Sequence, residues 1–583
     1  MSAVNSLPTL LQQRKGDTSL AQRVKRLGLW QRVSWQEHVT KVNALASYLL
    51  QAKLAKGEKV AILSENRPEW LVSDLAVQSA GGVSVGIYTT SSPKQVHYVL
   101  KDSEAVGLIL ENAEQIEKWL EIRGQSPNIR FVIAIEPEGF AEVLAWEDVV
   151  REGEQHYAAT PEKLEQSVQN VKPEDTALLM YTSGTTGNPK GVMLSQASLL
   201  WAVDALIESL GYNQDDEIVS YLPLSHIVER GGSYAHIKTG MVINFVENLD
   251  TFAQNLAEIR PTVLFAVPRI WEKMHSLVEL HMRENHFLKR AVYDAAMRAV
   301  KGRAPGERAS FAATLADLSV VSWLKHRLGI DRLRLAVSGA APISPRILEY
   351  FRALGIDIRE GYGMTENSGL TSIHQDSFKL GTVGTPFPGV EVKIAEDGEI
   401  LTRSPGTFQG YYRNLEATAA TLSGDWLHTG DIGELDSEGH LRITDRKKDI
   451  IITAGGKNIA PQKIENLLKT SVFINDAVVI GDKRKYLVAL LVLDEDNITT
   501  WARDHGLTYT TYTDLATLEE VRKVLDAEVA KVNDQLARVE TIKKFAILPK
   551  RLYFEDGEVT ATLKVKRSSI AKKYADLIEE LYQ

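Results

Sequence analysis

The chain has 583 residues, 44% hydrophobic and 25% charged, with 67 Lys and Arg against 76 Asp and Glu and a net charge of −9. That length supports two or more domains with large cores, and the acidic balance argues against general nucleic-acid binding. With no cysteine in the sequence, a disulfide framework, a Cys-zinc site and thiol catalysis are excluded.

Residues 1–15 are polar and lack the apolar core of a secretory signal. The longest apolar stretches, such as 486–493, fall far short of the roughly 20 residues of a membrane span. The expectation is a cytosolic protein, with peripheral membrane contact and oligomeric state left open.

Residues 59–64 read as a buried strand, 70–80 as a helix and 81–88 as the next strand, and 106–110 and 131–135 continue the alternation. Such alternation implies a parallel, layered α/β sheet. The apolar run Ala177-Leu-Leu-Met180 then enters Tyr181-Thr-Ser-Gly-Thr-Thr-Gly-Asn-Pro-Lys-Gly191, and a helix is expected over about 195–210. A second α/β series runs through 218–222, 242–246, 262–267 and 333–337. Residues 272–330 read as a mostly helical stretch whose middle, 298–310, is rich in Ala, Arg, Lys and Gly. A solvated surface excursion is the favoured reading; the alternative is a basic patch against anionic lipid. From about Thr382 the texture turns β-rich, with strands over 390–394, 399–403 and 441–444. After Asp445-Arg-Lys-Lys-Asp-Ile450 comes a compact α+β tail with a helix over 461–469 and strands over 476–480 and 487–493. The expected division is 1–445, its β-rich part about 380–445, and 446–583.

Five segments carry chemistry. In the first, Thr182, Ser183, Gly184, Thr185, Thr186, Gly187 and Lys190 form a donor-rich loop after a strand. Its glycines admit an anion close to the backbone, so its natural ligand is a polyphosphate. The order Lys190-Gly191 excludes a Walker A loop, which needs Gly-Lys followed by Ser or Thr. In the second, Glu360-Gly-Tyr-Gly-Met-Thr-Glu366, Gly361 and Gly363 free the backbone beside Tyr362, which can cover a flat ring. Thr365 can donate to a phosphate oxygen, and Glu366 is a hard oxygen ligand suited to Mg²⁺. The third, Ser338-Gly339-Ala340-Ala341-Pro342, is small enough for a planar base to approach. In the fourth, Asp431 can accept from two vicinal hydroxyls and Arg446 can donate to the same sugar. The fifth, Tyr221-Leu-Pro-Leu-Ser-His-Ile-Val-Glu-Arg230, places His226 in an apolar run, where a histidine is more often a satisfied core residue. Small residues follow it, among them Gly231 and Ser233. Two further segments are bland taken alone: Gly455-Gly456 reads as a hairpin, and Lys564, Lys566 and Arg567 read as surface charge.

In order and wording these motifs resemble those of the acyl-adenylate-forming enzymes, which include acyl-CoA synthetases, firefly-type luciferases and peptide-synthetase adenylation domains. The resemblance runs from Trp30 to the last residue. It is most similar to the long-chain fatty-acid–CoA ligase branch in Leu224-Ser-His-Ile-Val-Glu-Arg230, in Thr562-Leu-Lys-Val-Lys-Arg567 and in the long insert. It implies an α/β fold: a large N-terminal domain of layered αβ sheets with a small distorted β-barrel, and a smaller mobile α+β C-terminal domain. It implies ATP and CoA as co-substrates, Mg²⁺ as cofactor and a fatty acid as the group activated.

By the same resemblance, residues 182–187 and Lys190 hold the phosphates, Gly339 to Pro342 border the adenine, and Tyr362 covers it. Thr365 meets the α-phosphate, Glu366 binds magnesium, and Asp431 and Arg446 hold the ribose. His226 positions groups near the acyl carbonyl, Gly231 and Ser233 line the acyl pocket, and residues 267–272 resemble its matching wall. Lys448 is the hinge, Gly455 and Gly456 border the pantetheine channel, and Lys564 is the catalytic lysine, with Lys566 as the competing assignment. The sequence departs from the family's wording at Asn367, Ala561 and Leu563. The implied activity is formation of an acyl-AMP and transfer of the acyl group to CoA. Two alternatives stay open: loading of a carrier protein's phosphopantetheine, and a nucleotide- and acyl-binding protein with little turnover.

Overall fold

A computed structural model describes residues 4–182, 188–284, 287–301, 310–375, 378–454, 457–553, 556–559 and 565–583, apart from the side chains of residues 280, 283 and 284. Among them, the largest sheet has eight strands in the order Gly410–Tyr411, Lys190–Ser195, Thr176–Thr182, Val83–Ile87, Lys59–Leu63, Gly107–Leu110, Phe131–Ala134 and Leu144–Ala145. From Thr176–Thr182 to Leu144–Ala145 all neighbours are parallel. Such strands are covered on both faces, which accounts for their near-continuous apolar runs. The helices Trp35–Gln51 and Pro68–Ser79 help bury one face and Pro93–Ser103 with Ala113–Ile122 the other. Trp35–Gln51 starts at a Ser34/Glu37 capping box and Pro93–Ser103 at a Ser92/Gln95 one, so the orphan amide donors of each first turn are partly satisfied locally.

At one edge the sheet turns antiparallel. Lys190–Ser195 folds back on Thr176–Thr182, with Thr182 opposite Lys190, and Gly410–Tyr411 adds outside it. The donor-rich loop is therefore a strand-to-strand connection. The sequence reading expected a helix after it; here a strand intervenes and Gln196–Leu210 follows.

A second sheet has the order Glu217–Ser220, Val242–Phe245, Leu20–Arg26, Leu29–Ser34, and a third Val263–Ala266, Leu335–Ser338, Ile358–Tyr362, Ser372–Ile373, Thr385–Pro386. The β-rich segment forms an antiparallel sheet in which Trp426–Leu435 pairs with both Glu399–Arg403 and Leu441–Arg446. Between the first two strands of the third sheet, the insert folds into the helices Pro268–Glu284, Phe287–Val300, Phe311–Ala316 and Ser322–Arg327, with a π-helical turn Asp317–Val321. Their inner residues Trp271, Tyr293, Ala296, Val300, Ala313, Ala316, Val321 and Leu324 share one core. Most of the basic middle expected at 298–310 lies outside the described residues.

The last part of the chain has its own sheet, Ile474–Ile480, Leu487–Leu493, Ile542–Ile547, of which Leu487–Leu493 is wholly buried. A separate core gathers around it.

Candidate active site

Register brings three motifs together. Ile358–Tyr362 is the third strand of its sheet, and its neighbour Leu335–Ser338 ends just before Gly339. A Cβ on Gly339 would stand 3.0 Å from Phe265 and 3.1 Å from the Gly361 carbonyl, so small residues after Ser338 let this turn lie against Gly361. Ala340 holds φ +67°, the left-handed region that gives the turn its reversal. Tyr362 leaves its strand and donates from its hydroxyl to Asp431 Oδ2 at 2.6 Å. Asp431 in turn lies opposite Arg446 across Trp426–Leu435 and Leu441–Arg446, and the Arg446 Nε to Asp431 Oδ1 distance is 3.5 Å. Burial and the adjoining Asp431 carboxylate hold the Tyr362 hydroxyl far above its ordinary pKa, as a permanent donor. Pro342 and Ala341 are exposed at the rim of the same turn.

The turn after Tyr362 is closely packed. A Cβ on Gly363 would lie 1.9 Å from the Gly369 carbonyl, so only glycine fits there. The turn places Thr365, Glu366 and Asn367 in one short buried 3₁₀ segment. Glu366 Oε1 accepts from the Tyr411 hydroxyl at 2.7 Å, and Lys190 Nζ stands 4.9 Å from the centre of the Tyr411 ring. Burial raises the Glu366 pKa, while Tyr411's donation and the Arg446 and Lys190 charges oppose that rise. Lys190 is placed from the other side by Tyr98, whose hydroxyl donates to the Pro189 carbonyl at 3.0 Å. Tyr411 escaped the sequence reading. It sits on the short edge strand beside Lys190–Ser195, and no local pattern marks it.

Beneath this cluster lies Glu360, buried, with Oε1 unpartnered. Burial pushes its carboxyl up to about 8. Its backbone N–H donates to His374 Nδ1 at 3.0 Å, and burial takes His374 down to about 4. Both side chains are thus neutral near pH 7.

On the other side, His226 caps the helix Ile227–Thr239, its Nδ1 accepting from Val228 N–H at 3.3 Å. An accepting Nδ1 puts the neutral ring's proton on Nε2. A Cβ on Gly369 would meet the Ile227 side chain at 3.5 Å, so this helix start adjoins the Glu366 turn. Gly86 matters here too, because a Cβ on it would come within 2.9 Å of Ser225 Cα. Asn66 pins the same loop, donating to the Leu222 carbonyl at 2.6 Å and accepting from Leu224 N–H at 2.9 Å. Gly231 and Gly232 are half-buried, near Leu206 and Ile218 respectively. Ser233 is buried and its hydroxyl donates to the Glu229 carbonyl at 2.9 Å. Glu229, enclosed by side chains yet touching solvent at its edge, is pushed up to about 8 by burial, against donation from the Ser220 hydroxyl and Leu222 N–H. Arg230 is fully buried and donates to Asp74 Oδ1 at 2.8 Å and to Tyr234 at 2.7 Å, with its guanidinium 4.1 Å from the Trp70 ring centre. Sequence reading left Arg230 without a role; its partner is Asp74 of the helix Pro68–Ser79.

Of the remaining sequence candidates, Ser183, Gly184, Thr185, Thr186, Gly187, Gly455, Gly456 and Lys564 lie outside the described residues. Lys448 is exposed in the turn that follows Leu441–Arg446. Lys566 precedes the helix Arg567–Lys573, and its N–H donates to the Glu558 carbonyl at 2.8 Å. Asp445 is buried; its Oδ2 accepts from the N–H of Gln462, in the first turn of Pro461–Leu468, at 3.1 Å. Burial pushes Asp445 up to about 6.

A family model described as AMP-binding enzyme matches residues 11–412, and one described as AMP-binding enzyme C-terminal domain matches 448–583. The chain is 36% identical over 565 residues to a protein of Mycobacterium bovis named long-chain-fatty-acid–CoA ligase FadD15, covering 95% of this chain and 93% of that one. It is 32% identical over 599 residues to the long-chain-fatty-acid–CoA ligase ACSBG1 of Rattus norvegicus, covering 96% and 83%. Among solved structures, the anthranilate CoA ligase AuaEII in complex with anthranoyl-AMP superposes with a TM-score of 0.77 at 19% identity, over 99% of this chain and 98% of that one. The O-succinylbenzoate coenzyme A synthetase of Bacillus subtilis, in complex with AMP, superposes with a TM-score of 0.67 at 22% identity, over 97% of each. At such identities the structural likeness establishes the fold.

Proposed function

Since the chain belongs to the AMP-binding enzyme family, we infer that it is an AMP-forming long-chain fatty-acid–CoA ligase. The observation that carries the nucleotide half of this reading is the joint placement of Tyr362, Asp431 and Arg446 beside Glu366, Tyr411 and Lys190. The names of the relatives supply the acid and the thiol.

In the proposed reaction a fatty carboxylate oxygen attacks the α-phosphorus of ATP and pyrophosphate departs. The CoA sulfur then attacks the acyl carbonyl, its proton passes to solvent, and AMP departs. Tyr362 covers adenine along the Gly339–Pro342 turn, with Gly361 and Gly363 giving the backbone access. Asp431 and Arg446 take the ribose hydroxyls. Residues 182–187 and Lys190 draw charge off the phosphates, and Thr365 donates at the α-phosphate. Holding both reactants near attack geometry is the main gain in the first step. His226 presents Nε2–H, which suits positioning of a carbonyl rather than proton abstraction. Gly231 and Ser233 border the acyl chain.

Glu366 fits a hard cation: it is a buried carboxyl whose ionisation burial opposes, so a neighbouring divalent ion stabilises the form that binds it. Mg²⁺ held by Glu366 would supply neutralisation of phosphate charge. Lys564 is assigned to bridge carboxylate and phosphate. Rotation of residues 446–583 about Lys448 exchanges Lys564 for the Gly455-Gly456 face, which borders the pantetheine arm. No described helix is long and apolar enough to cross a membrane; the proposed location is cytoplasmic with peripheral membrane contact.

The test is product analysis with Mg·ATP and acids from acetate to long chains, with and without CoA. AMP and acyl-CoA formed together, best with long chains, is the expected result. Acyl-AMP without CoA-dependent turnover would replace this reading with a carrier-protein acceptor. Lys564→Ala is expected to abolish adenylation and spare thiolation of supplied acyl-AMP; the same pattern from Lys566→Ala would move the assignment.

A further inference from the structure

Glu558 is a carboxylate that the proposed reaction leaves without a role. It stands shortly before Lys564 in the chain, and its side chain has no exposure to solvent. Burying a carboxylate is costly unless donors surround it, and here they do. Oε1 accepts from Lys573 Nζ at 2.8 Å and from the Tyr574 hydroxyl at 3.0 Å. Oε2 accepts from the Tyr553 N–H at 3.0 Å, and Lys550 Nζ stands 3.6 Å from it. Burial opposes ionisation, but donation from Lys573, Tyr553 and Tyr574 and the Lys550 charge outweigh it, and they hold the carboxyl below its ordinary pKa.

The backbone around Glu558 adds a second set of ties. Its carbonyl accepts from the Lys566 N–H at 2.8 Å, its N–H donates to the Tyr553 carbonyl at 3.2 Å, and Val559 pairs antiparallel with Val565. These bonds join the chain on either side of residues 560–564, the segment that carries Lys564. Lys566 leads directly into the helix Arg567–Lys573, whose two ends are held separately. At its start, Arg567 donates from Nη2 to Glu465 Oε2 at 3.0 Å and from Nη1 to the Val479 carbonyl at 2.7 Å. At its end, Lys573 and Tyr574 reach back to the Glu558 carboxylate. Glu558 thus ties one root of the segment to the other through its backbone, and to the far end of the following helix through its side chain.

A buried ion pair adds little net stability over an apolar filling of the same space. Donors arriving from fixed directions instead select one backbone geometry. That matters most for a reacting group, since a misplacement of about 1 Å can slow a reaction about a hundredfold. We propose that Glu558 is a positioning residue for adenylation: its buried carboxylate locks the roots of residues 560–564 to the helix Arg567–Lys573 and so fixes where Lys564 is presented. This rests on the ligase reading and on Lys564 as its lysine. Glu558 acts through Lys564 and takes no part in bond making. Its influence is therefore confined to the first half-reaction, because the proposed rotation withdraws Lys564 before the second.

The test measures the half-reactions separately in the full chain: acyl-AMP and pyrophosphate formation from a long-chain acid and Mg·ATP without CoA, and thiolation of supplied acyl-AMP by CoA. Glu558→Ala should lower the adenylation kcat about ten- to a hundredfold, with the KM for ATP and the rate of thiolation each within about twofold of the parent. Lys573→Met removes one donor from a half-buried position and is the gentler variant should Glu558→Ala fail to fold. It should show the same split at about threefold, and Lys573→Arg, which keeps a charged donor, should restore the parental rate. Equal losses in both half-reactions would assign Glu558 to stability and overturn the proposal. So would parental adenylation in both Glu558→Ala and Lys573→Met, or in Lys564→Ala. A parent that forms no acyl-AMP overturns the ligase reading as well; a parent that forms it beside unaffected Glu558→Ala and Lys573→Met overturns this proposal alone.

Discussion

Tyr411 opposes the effect of burial on Glu366. It contributes a hydrogen bond that favours the ionised carboxyl, against burial that disfavours it. Tyr411→Phe removes that donor, so the Glu366 pKa rises further. The acid limb of the kcat/KM profile should then move to higher pH, with the alkaline limb in place; an unmoved acid limb would separate Glu366 from the reaction. Glu360 makes a second, opposite statement about pH. Its folded pKa of about 8 lies above the ordinary carboxyl value, so the folded chain binds a proton that the unfolded chain releases. Its contribution to stability is present at low pH and declines as pH rises from about 4.5 through 8, by an amount on the order of a few kcal/mol. Glu360→Gln should be near neutral at pH 5 and raise the thermal midpoint progressively toward pH 8.5. A constant difference between the two proteins across that range would show that Glu360 does not titrate there.

At the scale of elements, the helix Ile227–Thr239 illustrates what a local pattern carries and what it omits. The sequence reading marked a motif at 221–230 but no helix there; the helix's C-terminal Gly240, at φ +84°, is the usual left-handed stop. Its anchoring was not legible, because Arg230 finds Asp74 on a helix far away in the chain. Arg230→Met should destabilise the fold by about 3–5 kcal/mol in denaturant titrations, since it strands a buried carboxylate; Asp74→Leu added to it should recover part of that loss. The parallel strands were read correctly because burial on both faces writes a continuous apolar run. Lys190–Ser195 was missed because it is short and its pairing depends on a strand before the loop. The pairing of Asp431 with Arg446 could be expected by resemblance, yet its cause is register: the two lie opposite each other on adjacent strands.

For the whole molecule, the joint between the β-rich sheet and the last part of the chain is held by Asp445. Its carboxylate accepts from the first turn of Pro461–Leu468, taking the place of a cap that Ala460 cannot provide. A second contact, Arg269 Nη2 to Asn475 Oδ1 at 3.2 Å, ties the insert's first helix to the same part. Asp445→Ala should raise the rate of tryptic cleavage at Lys447 and Lys448 several-fold, with the large sheets' thermal unfolding little changed. An unchanged cleavage rate would mean that the joint is held elsewhere.

The hydroxyl of Tyr362 and the carboxylate of Asp431 already satisfy each other. On the proposed ribose role of Asp431, an arriving nucleoside is a competitor, and its binding free energy is the margin by which its contacts exceed the one it displaces. A sugar offering both hydroxyls can repay the carboxylate twice. A 2′-deoxy sugar can repay it once, and the shortfall falls on the protein. On that proposal, discrimination between ribo- and deoxyribonucleotides would be set in the resting pocket, before any phosphate is recognised.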